Sequence, residues 1–462
     1  MTTSAKARQP LSTPRRLWLF LLGIWVATTL LLSSGETALL RARAALQTIG
    51  RNAAPGIIAA QEVSATLANL DANEANYLLL DDPIAADAAT QLFEFRNAAA
   101  TKRLVDAAKT GAYGDAEKIP IVMMFENLGR YLELAARARY LHDKHEDAAA
   151  LDTYRIATDV MHARILLDAE ALDQANAKLM DGVYDEELRT SEGSEGLAIG
   201  SGVLLLGALV WAQVFLFART RRVFSVALLA ATGVALAFTL DLHGRLRDSR
   251  DDLAMAKEGA FASIHALWQA RAAAYDASGD QSRYLLDQPN AAAWRAHFNT
   301  TVSKLTSGPE FSATAESDAR EGRQVSFTGL FAQELNKPSE LTFNGERDAA
   351  VAMTRAFAAF YTIDARIRAA TRDAPQGTER TPGTPRAKRA IDLALGESAV
   401  AYDRFEEAVL RTLRINEDVF EQLIDDADAR LKVASYLAPT FAIAIVLLAW
   451  IGARVRLREY AV

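Results

Sequence analysis

Cysteine is absent from all 462 residues. That excludes disulfides, thiolate metal sites and cysteine nucleophiles, and it leaves the redox compartment open. Basic charge is in short supply too, with 51 Lys and Arg against 58 Asp and Glu, a formal balance of −7. No basic stripe stands ready to neutralise phosphates, so nucleic acid is not an expected partner. Alternating β-branched runs are scarce, which argues against a substantial sheet. No catalytic constellation is readable, no cofactor motif is found, and the chain is not expected to be an enzyme.

Ala, Leu, Glu and Arg are plentiful, and these residues lose little entropy in a helical backbone. An all-α fold is expected. Four apolar runs carry no Asp, Glu, Lys, Arg or His: "LWLFLLGIWVATTLLL" from residue 17, "LAIGSGVLLLGALVWAQVFLFA" at 197–218, "VFSVALLAATGVALAFTL" at 223–240 and "YLAPTFAIAIVLLAWIGA" at 436–453. Each approaches the ~20 residues that cross a bilayer core. The first run could instead be a cleaved signal peptide, since Arg15 and Arg16 precede it and "SSG" follows.

Arg15, Arg16, Arg219, Arg221, Arg222, Arg454 and Arg456 all lie within three residues of a run's end. A chain that crosses four times places them on one side, and basic flanks mark the cytoplasm. The expected plan is a plasma-membrane protein with both termini cytoplasmic. Its segments are a tail (1–16), span 1 (17–33), an outer helical bundle (34–196), span 2 (197–218), a turn (219–222), span 3 (223–240), a second outer bundle (241–435), span 4 (436–453) and a tail (454–462).

The two halves share a phrase. "NYLLLDDP" starts at Asn76, 44 residues past Leu32, and "RYLLDQP" starts at Arg283, 43 residues past Leu240. Similar words at similar distances from equivalent membrane exits suggest internal duplication. In each copy an acidic stretch precedes a proline, which pushes the preceding residue out of helix. Each phrase therefore marks the far tip of a long helix, about 45 residues or ~65 Å if unbroken, with a kink expected at Pro55-Gly56. Further helices are predicted near 84–109, 117–146 and 148–189, and near 290–306, 345–372 and 387–434. An irregular insertion covers 307–344, with "VSFTGLF" at 325–331 read as loop or short helix. Four helices per half, the outer two running into spans, make an up-down-up-down bundle, and the two copies are expected to pack side by side.

This architecture resembles the four-helix-bundle ligand-sensing domains of chemoreceptors and sensor kinases. Such receptors carry a cytoplasmic signalling domain, for which the short tails and turn leave no room. The four-span plan with two large helical outer loops resembles instead the GlnX-type membrane proteins of actinobacteria. That resemblance implies a link between an amino-acid-binding lipoprotein outside and a separate Ser/Thr kinase inside.

For an anionic ligand, Arg is the expected clamp because its fork pairs with a carboxylate. Arg130, Arg137 and Arg283 are the candidates, with Asp71, Asn73 and Asn76 near the distal tip of the first bundle helix as ligand or partner contacts. The plainer reading of each is a solvated helix face or a bundle-specifying polar contact. Arg219, Arg221 and Arg222 are the candidate contacts for a cytoplasmic signalling protein. "HDKHED" spaces His142, His145 and Glu146 as a metal site would, but a polar turn between helices is the plainer reading, and no metal ligand set is expected. "GSG" at 200–202, Gly207 and the Ala227, Ala231, Ala235 series are read as helix-packing positions within spans. The most polar side chain in any span is Gln213, which suits anchoring and transmission better than transport. A sensor that relays the state of a small extracytoplasmic ligand or solute-binding lipoprotein is expected, possible as a homo-oligomer. A structural or scaffold protein of the envelope is the alternative.

Overall fold

A computed structural model describes residues 13–110, 115–220, 225–308, 311–372 and 385–458. Among the described residues the backbone is helical almost throughout and contains no strand, which is the expected all-α fold. In chain order the helices are α1 (Thr13–Gln47), α2 (Ala54–Tyr77), α3 (Pro83–Thr110), α4 (Asp115–Asp143), α5 (Asp147–Val160), α6 (Leu166–Thr220) and α7 (Val226–Ala254). There follow α8 (Ala262–Leu286), α9 (Ala291–Leu305), α10 (Ala313–Arg320), α11 (Leu330–Leu335), α12 (Glu346–Arg372), α13 (Pro385–Asp392) and α14 (Ala399–Arg458). Wider π-type turns stand at Thr48–Ala53, Met161–Ile165, Met255–Phe261 and Leu393–Ser398, so several helices pass into the next without leaving helical backbone. The first of these turns ends just before Pro55, where a kink was expected; the ring's missing donor is tolerated because Pro55 falls in the first turn of α2. The tail 1–12 and the linker 373–384 lie outside the described residues.

The chain divides into two compact units. The first takes residues 1–49, 182–254 and 423–462 and holds all four apolar runs. Four helices are long and apolar enough to cross a membrane, and only 28–33% of the most apolar window of each is buried inside the protein. On α1, Trp18, Leu22, Val26 and Leu30 form an exposed stripe while Leu17, Leu21, Ile24 and Leu31 are buried. An apolar surface of this kind fits lipid rather than water. Gly202 lets α6 approach α7 closely: a Cβ there would stand 2.6 Å from Thr239 Cγ2. Ala231 and Ala235 are fully buried, and Gln213 donates to Thr232 Oγ1 (2.8 Å). Just past the runs' ends, Arg43 pairs with Asp428 (3.0 Å), Ser435 donates to Glu36 (2.7 Å), and Glu195 meets both His243 (2.8 Å) and Arg250.

The second unit takes residues 50–181 and 255–422, drawing on both predicted outer regions. α2 packs along α8, α2 against α3, α4 against α5, and α8 against α9. The α2–α8 pairing is built from small residues. Ala65, Ala68 and Ala72 on one helix and Ala270, Ala274 and Ala277 on the other are all buried, which lets the backbones come close. An apolar core beneath α2 runs through Val63, Leu67, Leu70, Leu104, Met124, Leu128, Val160 and Ile165. The other side is filled by an aromatic cluster of Phe331, Phe357, Phe360, Tyr402 and Phe405, with ring centroids 5.1–5.9 Å apart. The insertion at 307–344 holds the short α10 and α11, and "VSFTGLF" is loop that enters α11. Gly329 opens α11 at φ +114°, and a Cβ there would sit 2.5 Å from the Leu305 carbonyl oxygen, so only glycine fits.

Candidate functional site

The polar centre of the second unit forms where α2 and α8 pack. Arg283, on the last turn of α8, is 1% exposed, and Asp71 and Asp280 are fully buried. Arg283 Nη2 donates to Asp71 Oδ2 (2.5 Å), and Nη1 donates to Asp280 Oδ1 (2.7 Å) and Asp276 Oδ1 (3.2 Å). Its Nε donates to the Tyr154 hydroxyl (3.3 Å), and the guanidinium lies 5.4 Å from the centre of the Trp294 ring. Gly279 makes the room: a Cβ there would meet Arg283 Nη2 at 2.8 Å and the Ala72 Cα at 3.2 Å.

Asp71 is held from the other side by Tyr131 (3.1 Å), by Thr158, whose hydroxyl is 3.1 Å from each oxygen, and by His162 Nε2 (3.3 Å). Burial pushes its carboxyl up, but Arg283 and His162 outweigh burial and bring it down to about 2. Burial and the nearby Asp71 charge raise the Tyr131 and Tyr154 hydroxyls, so both stay protonated. Beyond Arg283 stands His297, whose Nδ1 is 2.7 Å from Asp280 Oδ2. That bond, ahead of the opposing burial, raises the imidazole above its ordinary value.

Next to this cluster is a pocket of about 450 Å³ lined by Arg155, Asp287, Asn290, Ala293, Trp294 and His297. Asp287 accepts from Arg155 (2.6 and 3.1 Å), Asn290 (3.0 Å) and Trp294 (3.2 Å). Those bonds overcome the upward push of burial and lower its carboxyl. One charge arrangement also occurs twice. Arg139 lies over Phe93 (3.9 Å) and Tyr77 (5.9 Å), and Arg368 over Phe298 (4.4 Å) and Tyr284 (5.2 Å). Tyr77 and Tyr284 are the tyrosines of the two similar phrases. Each hydroxyl meets the end of another helix, Asp143 for Tyr77 and Thr371 for Tyr284, both at 2.8 Å.

Of the residues singled out from sequence, Asp71, Asn76 and Arg283 come together, with Asn76 accepting from Ser282 across the pairing (2.5 Å). Asp71 is not presented at the tip, and the fork of Arg283 already grips carboxylates of the chain itself. Asn73, half-buried, bonds back to Asn69 on its own helix (2.6 and 2.7 Å). Arg130 and Arg137 stand exposed on α4, apart from the cluster. Arg219 is the next-to-last residue of α6, and Arg221 and Arg222 lie outside the described residues. His142 meets the Leu80 carbonyl (3.1 Å), and His145 turns the chain at φ 61°. Sequence reasoning missed Tyr131, Tyr154, His162, Asp276, Asp280 and His297. Asp276, Asp280 and Arg283 stand four and three residues apart on one helix face, a spacing that was readable; the two histidines carried no such signal.

Residues 45–185 match the family model for an actinobacterial sensor domain. The matched stretch supplies Asp71, Tyr131, Tyr154, Thr158 and His162, while Asp276, Asp280, Arg283 and His297 come from outside it. No curated protein and no solved structure matches the chain. Together with four apolar helices, the family match supports a sensing role in a multi-pass membrane protein.

Proposed function

We propose that this protein is a plasma-membrane sensor whose extracytoplasmic helical unit passes its state to a separate cytoplasmic signalling protein. On this reading the input is a small ligand or a solute-binding lipoprotein, both termini are cytoplasmic, and the basic residues Arg219, Arg221 and Arg222 contact the receiver. The two outer regions are duplicated copies whose leading helices pair, as two subunits of a receptor would. The recurrence of the Arg139 and Arg368 stacks on the two phrase tyrosines favours that duplication.

One observation carries the proposal. A guanidinium and two carboxylates, Arg283 with Asp71 and Asp280, are buried where the leading helices of the two halves meet, and a third carboxylate, Asp276, is half-buried beside them. Buried charge is a poor way to gain stability compared with apolar packing, and it is retained where it specifies one arrangement among several. A cluster that several helices share has discrete alternative pairings, and a change of pairing moves helices by the ~1–2 Å typical of such switches. The helical backbone runs on from α2 and α8 back toward α1 and α7 through π-type turns, which are common at functional positions.

The absence of cysteine provides the test. Gly35 and Leu242 face each other in the membrane unit, with a Cβ on Gly35 2.9 Å from Leu242 Cδ2. Cysteines placed at both positions of the full chain in native membranes report the α1–α7 spacing through their rate of bridging by a short bis-maleimide. The proposal expects Arg283→Gln and Asp71→Asn to change that rate. Equal rates in the parent and both variants would refute it and favour a plain anchor or scaffold.

A further inference from the structure

His162, Asp276 and His297 converge from the π-type turn after α5, from α8 and from α9, and their ligand atoms all lie within 4.8 Å of one another. We propose that these three side chains bind one divalent late-first-row transition-metal ion of the Zn²⁺ class, joining the two halves of the unit through it. His162 Nε2 is 3.5 Å from Asp276 Oδ1, and His297 Nε2 is 3.8 Å from Asp276 Oδ2; on binding, the ion replaces the bond that His162 Nε2 otherwise makes to Asp71 Oδ2 (3.3 Å). Ligands about 2.0–2.2 Å from a tetrahedral zinc stand ~3.3–3.5 Å apart, so these two separations need to close by only a few tenths of an ångström. The two histidines, within 4.8 Å of each other, need to draw together by up to about 1.5 Å.

The surroundings are those of a built site. Asp280 Oδ2, fully buried, takes the Nδ1–H of His297 at 2.7 Å and so turns its Nε2 lone pair toward Asp276. A carboxylate behind a ligating imidazole orients the ring and raises its basicity as a metal ligand. Asp280 is in turn fixed by Arg283. His162 sits within a π-type turn, which re-aims a side chain relative to regular helix. Its ring lies edge-on to that of His297, centroids 5.5 Å apart.

Charge points the same way. Asp71, Asp276 and Asp280 face a single guanidinium, which leaves two negative charges beside the two imidazoles. A divalent cation neutralises them. Two nitrogen ligands and one carboxylate select Zn²⁺-like ions over Mg²⁺ or Ca²⁺, which prefer all-oxygen shells. His297, alone of the three, also lines the pocket that holds Trp294 and Arg155, so the site has one ligand within reach of solvent.

As a site the cluster stands alone; as the stimulus it rests on the sensor reading above. The full chain, purified in nanodiscs and stripped with EDTA, is titrated with ZnCl₂ by calorimetry and with CoCl₂ by visible absorption. The expected result is one saturable site per chain. His162→Ala and His297→Ala should each weaken it by more than about tenfold, as should Asp280→Asn through orientation alone, while Arg130→Ala leaves it unchanged. MgCl₂ and CaCl₂ should not compete. No saturable Zn²⁺ binding, or equal affinity in the His variants and Arg130→Ala, would overturn the site. If an alanine variant loses helicity by circular dichroism, Asp276→Asn and the tetrahedral Co²⁺ band decide instead: a band unchanged by that substitution overturns the proposal. Zn²⁺ should also alter the bridging rate at positions 35 and 242. A rate moved by Arg283→Gln but not by Zn²⁺ would leave the sensor standing and remove the metal as its stimulus.

Discussion

Replacing Arg283 with methionine tests the central claim about the α2–α8 pairing. The substitution keeps much of the apolar length of the side chain and removes the guanidinium. Asp71, Asp276 and Asp280 lose bonds at 2.5, 3.2 and 2.7 Å, and Tyr154 loses its partner at 3.3 Å. Removing one member of a buried ionic cluster costs about 3–5 kcal/mol because the remaining charges stay buried without compensation. Asp276 is only half-buried and keeps some solvation, so the lower figure is expected. A membrane protein with two units has no single unfolding equilibrium, so the measurement is local. Hydrogen exchange of the α2 and α8 amides is followed in the full chain with EDTA present, so that bound metal contributes nothing. A loss of about 3 kcal/mol shortens protection there by roughly two orders of magnitude. In the double variant Arg283→Met/Asp71→Asn the loss should be smaller than the sum of the single losses, with a coupling of about 1–3 kcal/mol. A loss under about 1 kcal/mol, or strictly additive losses, would refute the claim that the charges depend on each other.

Three further outcomes follow from other positions. Gly279→Ala should lower α8 protection by about 1–2 kcal/mol despite alanine's better helix propensity, because the new methyl meets Arg283 and the α2 backbone; Gly182→Ala, with nothing within 4 Å, is the control. Burial, followed by the nearby Glu346 charge, raises the Glu334 carboxyl from 4.5 to about 7. The folded state then holds a proton that the unfolded chain has released, so the α11–α12 region loses stability as pH rises from about 4.5 to about 7, by up to ~3 kcal/mol. Glu334→Gln should flatten that dependence in hydrogen exchange measured at several pH values. Gly202→Leu should force α6 from Thr239 and cost about 1–3 kcal/mol, read as earlier loss of monodispersity on heating in detergent, while Gly200→Leu, facing open space, changes little.

Much of the helical plan was legible. Uncharged runs of span length, helix-favouring composition and prolines after acidic turns all act within a few residues, and that range is what sequence patterns record. The long helices stop at Tyr77 and Leu286, a few residues ahead of the prolines at 83 and 289, and "VSFTGLF" is loop leading into a short helix. The candidate site was half legible. Asp71, Asn76 and Arg283 attract attention as polar residues on Ala-rich helices, whereas Arg130 and Arg137 look alike in sequence and stand exposed on α4. The π-type turns were not legible, since one extra residue in a helical turn leaves no compositional mark.

Sequence by itself determined the class of the molecule: helical, with four apolar runs, and without the cysteines or basic surface of several other classes. Those properties are sums over neighbouring residues, so order along the chain suffices to read them. The pairing of α2 with α8, and with it the burial of Arg283 among three carboxylates and the convergence of His162 with His297, was decided by tertiary structure. Asp71 and Arg283 are 212 residues apart, and no local pattern states which polar faces will meet across such a distance. That depends on where small residues let two helices come close enough for the charges to be shut away from water.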